Sequence, residues 1–140
     1  MPTHYLTIEP DLKFKLIALV TVMRGYRLCW SINQVFHFDF VKQADLVIEN
    51  PRKKQRSSHD HFLHKDNLNL CTFSVVANGS QSYWILPEIK QVSYLIKISG
   101  EWHPTTIGDM IEKLNKIPNI QTAFELDIDN LKSKDNLLLF

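Results

Sequence analysis

Three histidines come closest to a metal-binding pattern: His59, His61 and His64 form His-x-His-x-x-His. A metal ion needs its ligands to converge on one point. On a strand His59 and His61 share a face while His64 points away, and on a helix no pair is spaced i, i+4. No cysteine lies nearby, so the spacing predicts a solvated cluster and no metal. Cys29 and Cys71 read as buried thiols rather than a disulfide. Arg52, Lys53, Lys54 and Arg56 could meet phosphates, but no aromatic residue interleaves them and the chain's net charge is only +1. They read as a solvated loop, and nucleic acid is not the expected partner. The chain has no Gly-rich phosphate loop, nucleophile elbow, Cys-x-x-Cys or His-Glu-x-x-His, and only four glycines. No catalytic residues and no cofactor are assigned, and the reading leans away from an enzyme.

A more distinctive stretch runs from Trp84 to Gly100. From Gln91 to Ser99, Val92, Tyr94, Ile96 and Ile98 share one face and Gln91, Ser93, Lys97 and Ser99 the other, which is the period of a half-buried strand. Leu86-Pro87-Glu88 followed by Val92-Ser93-Tyr94 resembles the signature of the IPExxxVDY family, uncharacterised bacterial proteins. Pro87, Glu88, Val92 and Tyr94 match; Leu86 replaces Ile and Ser93 replaces Asp. The chain length and a helix near the N-terminus rich in Tyr, Arg, Leu and Asn also fit. The resemblance implies no activity, and the missing Asp weakens chemistry at that position. In an extended chain Glu88 and Tyr94 lie roughly 20 Å apart, too far for one small site unless the chain bends. Pro87 then sets a turn while Val92 and Tyr94 fill core.

If the signature binds something, its entry does so. Glu88 would line a groove with Arg27, Trp30 and Asn33 of the preceding helix, and would pair with Arg24 or Arg27. Tyr94 completes the candidate set. Leu137, Leu138, Leu139 and Phe140 form a second candidate, a tail for docking on a partner. Asn136 to Phe140 is similar to the Gln-Leu-x-Leu-Phe peptides that bind the bacterial sliding clamp, with Asn136 where Gln is usual. The plainer fate of four apolar residues is burial in the domain's own sheet or across a dimer.

These residues must be positioned by elements the pattern predicts. Lys13 to Val22 is apolar on both faces and predicts a central strand. Met23 to His37 predicts a helix with Leu28, Ile32, Val35 and Phe36 on one stripe and Tyr26, Trp30 and Asn33 on its neighbour. Strands follow over Phe38–Glu49, Phe62–Lys65, Leu68–Ala77, Gln81–Leu86 and Gln91–Ser99, with Asn78-Gly79 as a hairpin turn. A second helix is predicted over 106–117, then a strand over Thr122–Ile128. Residues 1–12 read as a loose lead-in and 51–61 as an exposed basic and histidine-bearing loop. The order β-α-β-β-β-β-β-α-β predicts a single α+β domain over 1–140. It would be a two-layer sandwich of mostly antiparallel sheet with both helices on one face. The opposite face, carrying Ser93 and Lys97, would be wet or an interface.

A chain of 140 residues, 44% hydrophobic and 22% charged, has the make-up of one soluble globular domain. Its longest apolar run, Leu16 to Val20, cannot span a bilayer, and the N-terminus is not a signal peptide. A cytoplasmic location is the expectation. The functional expectation is a non-enzymatic domain that binds a protein partner or itself, as a homodimer for example. A small-ligand-binding or enzymatic domain, with its pocket between helix 23–37 and the strand after Pro87, is the alternative. A nucleic-acid accessory role for the basic loop comes third.

Overall fold

The first strand, β1 (Phe14–Thr21), lies inside the sheet, as its two apolar faces require. The computed structural model describes residues 14–50, 54–80, 83–101 and 104–140. The remaining elements in chain order are α1 (Gly25–Phe36), β2 (Val41–Lys42), β3 (Leu46–Asn50), β4 (Gln55–His59), β5 (His61–Asp66) and β6 (Cys71–Ala77). They are followed by β7 (Gly79–Ser80), β8 (Tyr83–Trp84), β9 (Tyr94–Gly100), α2 (Pro104–Leu114) and β10 (Ile120–Glu125). Six strands form one antiparallel sheet in the order β10-β1-β9-β6-β5-β2, and β3–β4 and β7–β8 are separate hairpins. The fold is α+β, with a large antiparallel sheet and two helices.

The register explains the core. Ile17, Ile96, Val75 and Phe62 stand abreast on four neighbouring strands. With Leu28, Cys29 and Ile32 of α1 and Ile107, Met110 and Leu114 of α2 they belong to one buried cluster. Both helices therefore cover the same face, and burying such a row is the main source of stability. Gly100 closes β9 with φ +98, and a Cβ there would sit 2.2 Å from the Leu70 carbonyl oxygen, so only glycine fits.

The opposite face departs from expectation. The adjacent row Leu16, Lys97, Ser74 and Leu63 carries two polar residues, yet this side is neither wet nor open. Leu16, Val76, Ile85, Leu86, Val92, Leu95 and Leu137 form a second buried cluster, edged by Leu46 and Ile48 of β3 and by Leu126 to Phe140. Lys97 makes that possible by donating to the Leu137 and Phe140 backbone oxygens while its ammonium lies over the Phe14 ring at 4.6 Å. The β3 strand and irregular chain thus add a cover to the two expected layers.

Two further local expectations are corrected. Residues expected as an exposed loop include β4 and the start of β5, with β4 paired to β3 from Leu46↔His59 to Asn50↔Gln55; residues 51–53, and so Arg52 and Lys53, lie outside the described residues. Asn78-Gly79 is not a hairpin turn: Gly79 lies in β7, paired with Trp84, and Ser80 pairs with Tyr83. Asn78 is fully buried. Its amide nitrogen donates to the Ile89 and Val92 carbonyls, and its amide oxygen accepts from Leu86 N–H. Tertiary hydrogen bonding has overridden local turn chemistry.

Candidate functional site

The site begins with the amphipathic pattern of α1. Leu28, Cys29 and Ile32 turn inward, and residues four apart stack on one helical face. Tyr26 and Trp30 make such a pair on the outer face, and Val22, in the link between β1 and α1, is exposed as well. All three are apolar or aromatic, yet their exposures are 67%, 62% and 94%. Beside this ridge runs a groove of about 530 Å³ between α1 and the end of α2. Met23, Arg27, Trp30 and Val35 line one wall; Lys113, Lys116, Ile117, Pro118 and Asn119 line the other.

The groove is charged in one sense only. Arg27, Lys113 and Lys116 line it, and no described carboxylate does. Lys116 meets Glu112 at 3.5 Å on the exposed surface of α2, and Lys113 lies 5.8 Å from the Phe36 ring centre. Arg27 has no ion-pair partner among the described residues. An exposed pair of this kind contributes little, so these cations remain available to an anion.

The floor of the groove is held by the second half of the signature. Tyr94 O–H donates to the Met23 carbonyl at 3.0 Å. Burial, with Asp60 and Cys29 adding to it, pushes the Tyr94 phenol up to about 12, so it stays a donor. Ser93 O–H donates to the Thr21 carbonyl at 2.8 Å and its oxygen accepts from Thr21 N–H at 3.0 Å. Thr21 O–H in turn donates to the Asn119 carbonyl at 2.6 Å, while its oxygen accepts from Met23 N–H at 3.1 Å. Met23 and Asn119 are the residues by which the two walls meet this network.

The expected candidates therefore separate. Arg27 and Trp30 share the groove, and Tyr94 supports it from below. Glu88 sits elsewhere, in a 3-10 turn over Pro87–Ile89. Its neighbours Leu86 and Ile89 belong to the cluster on the other face of the sheet, and its carboxylate accepts from Ser133 N–H at 2.9 Å. Burial works to raise the Glu88 carboxyl, but hydrogen bonds from its own N–H and from Ser133 hold it below the usual range. No ion pair joins Glu88 to Arg24 or Arg27 among the described residues. The chain does bend between Glu88 and Tyr94, yet the bend sends them to opposite sides of the sheet.

In the tail, Lys134–Leu138 forms a 3-10 turn and Leu137 is fully buried, while Leu138 and Leu139 are 40% and 52% exposed. Asn136 donates to the Ile85 carbonyl at 2.8 Å. Docking of this tail elsewhere would first require unseating Leu137.

The histidines are not a solvated cluster. His59 is 1% exposed, its Nε2 lies 2.8 Å from Ser57 Oγ and its Nδ1 2.8 Å from the Ala77 carbonyl. A carbonyl only accepts, so Nδ1 carries the proton and Nε2 accepts from Ser57. That is the polarity of a nucleophile and its base, but Ser57 is 6% and His59 1% exposed. Burial holds His59 below its ordinary value, and it holds His61 down as well, with Lys42 adding to the effect. His64 stacks on Phe38 with centroids 4.4 Å apart. No group of three or more metal-ligating residues converges among the described residues.

Lys113, Lys116, Ile117 and Pro118 were not singled out as site residues by the sequence. Their only signal was position, as cations and a proline at the end of an amphipathic helix. The lining carries cations, an aromatic side chain, the polar Ser31 and Gln34, and apolar contacts. No family model, curated protein or solved structure matches the chain. No helix among the described residues is long and apolar enough to cross a membrane.

Proposed function

We propose that this chain is a non-enzymatic protein-interaction domain, and that its binding site is the groove between α1 and α2. The observation that carries the reading is Trp30. It is 62% exposed on α1, one turn after Tyr26 at 67%, and it stands beside Arg27 over a preformed groove. Exposed tryptophan, tyrosine and arginine together are the residues that dominate protein interfaces. Of the residues that match the IPExxxVDY signature, Tyr94 underpins Met23 at the groove.

The test is selection of peptides from a random display library on the wild-type protein, with counter-selection on Trp30→Ala. The selected peptides should protect α1 and residues 113–119 from hydrogen exchange. Peptides that bind both proteins equally, or that protect only other regions, would remove the reading.

A further inference from the structure

We infer that the occupant of the α1–α2 groove is an acidic segment of a partner protein that carries apolar anchor side chains. This rests on the reading of the groove as a binding site and adds the chemistry of its partner. The argument is charge complementarity joined to shape. Arg27, Lys113 and Lys116 converge on the groove with no described carboxylate among its lining residues. The chain as a whole has a net charge of only +1, so this one-sided distribution is local. Such a field steers an anion to the site and rejects a cation.

Charge alone would suit a phosphate or a nucleic acid equally. The apolar lining decides between them. Met23, Val35, Ile117 and Pro118 offer no donor to a phosphate or a base edge through their side chains, and they suit aliphatic or aromatic anchors. The interval between Tyr26 and Trp30 is one helical turn, about 6 Å of rise, which matches anchors spaced i, i+4 on a docked helix. A second copy pairing two-fold through this groove would set Arg27, Lys113 and Lys116 against themselves, which costs binding. A groove lined by Asp127 and Asp129, with Glu125 paired to Lys15 at 3.4 Å, on the same chain leaves a head-to-tail contact as the competing occupant.

The probe is a helix-forming peptide of about 15 residues with leucines at i, i+4 and i+7 and glutamates elsewhere. Beside it are run a lysine-for-glutamate peptide, a serine-for-leucine peptide and a short oligothymidylate, each titrated against the full chain by calorimetry. The acidic leucine peptide should bind, and its affinity should fall about tenfold or more with Trp30→Ala and with Arg27→Glu, and fall again as salt rises. Both altered peptides should bind far more weakly. Equal binding of the lysine peptide, lost in Trp30→Ala, would overturn the acidic partner but leave the groove as a binding site. Binding of the oligothymidylate alone would replace the protein partner with single-stranded nucleic acid. Self-association in light scattering, abolished by Arg27→Glu, would assign the groove to a second copy. Peptide binding unaffected by either substitution, with circular dichroism unchanged, would overturn both the occupant and the site.

Discussion

Thr21 and Asn119, separated by 98 residues in sequence, are joined by a hydrogen bond of 2.6 Å from the threonine hydroxyl to the asparagine carbonyl. Thr21 is 7% exposed at the end of β1, and Asn119 adopts a positive φ of 74 between α2 and β10. One hydroxyl thus ties the start of α1, through Met23 N–H, to the segment that follows α2. The distance between the two walls of the groove is set here.

Thr21→Val keeps the shape and removes the hydroxyl. It leaves the Asn119 carbonyl and the Met23 N–H without this partner, which costs about 1–3 kcal/mol. Urea unfolding should show that loss, and Thr21→Ser should recover most of it. Equal stability of Thr21→Val and wild type would mean the hydroxyl ties nothing.

Ser93 tests why serine is tolerated where the signature has aspartate. Its hydroxyl both donates to and accepts from the Thr21 backbone, and an ionised carboxylate can only accept. Ser93→Asp should therefore be less stable than Ser93→Ala at neutral pH, with its oxygen set against the Thr21 carbonyl. Its deficit relative to wild type at the same pH should shrink near pH ~4, where the carboxyl regains a proton. A deficit independent of pH would contradict this.

Asn115 guards the edge of the sheet. Its side-chain amide donates to the Ala123 carbonyl at 2.9 Å and accepts from Ala123 N–H at 2.9 Å, as a neighbouring strand would. β10 is an edge strand with six residues, and an uncovered edge of that length is a template for pairing. Asn115→Ala should lose about 1–3 kcal/mol and should associate with rising concentration in sedimentation velocity. A variant that stays as wild type in both respects would show that the edge needs no guard.

The buried histidines predict acid sensitivity. His59 and His61 are held below 6.5 in the fold. The unfolded chain therefore binds more protons than the folded one between those lowered values and about 6.5. Stability contributed by the neutral rings is complete above that pH and is lost as pH falls through it. His59→Asn, whose amide can still donate toward Ala77, should flatten the slope of stability between about pH 6.5 and 5. An unchanged slope would assign the acid response to other groups.

The sequence carried the sheet well where its pattern was strict. In β1, Ile17 and Leu19 alternate with Leu16 and Ala18, and only an interior strand buries both sets. α1 was legible from Leu28 and Ile32, but Val35, expected on the same stripe, is 42% exposed and lines the groove. Alternation misled at Lys97, because a long stem can lie buried while its ammonium reaches the Leu137 carbonyl. Asn78 misled because turn propensity is a local preference, and three tertiary hydrogen bonds outweigh it. Arg27 and Trp30 were legible as candidates from residue type. Their facing wall was not, since nothing local says that Lys113 and Ile117 will stand across from them. Glu88 was grouped with them by the motif, and the 3-10 turn at Pro87 removes it to the other side.

Strand order also sets a timetable for synthesis. β1 emerges first among the described strands, yet it waits 72 residues for the Thr21–Ser93 contact and 98 for Asn119. At roughly 5–20 residues per second, the first interval alone is a delay of about 4–14 s. Throughout it, a strand with Leu16, Ile17, Ala18 and Leu19 has neither of its neighbours. The nascent chain is therefore a natural client for chaperones that hold short apolar segments at the ribosome, and Leu137 is among the last core residues to release it.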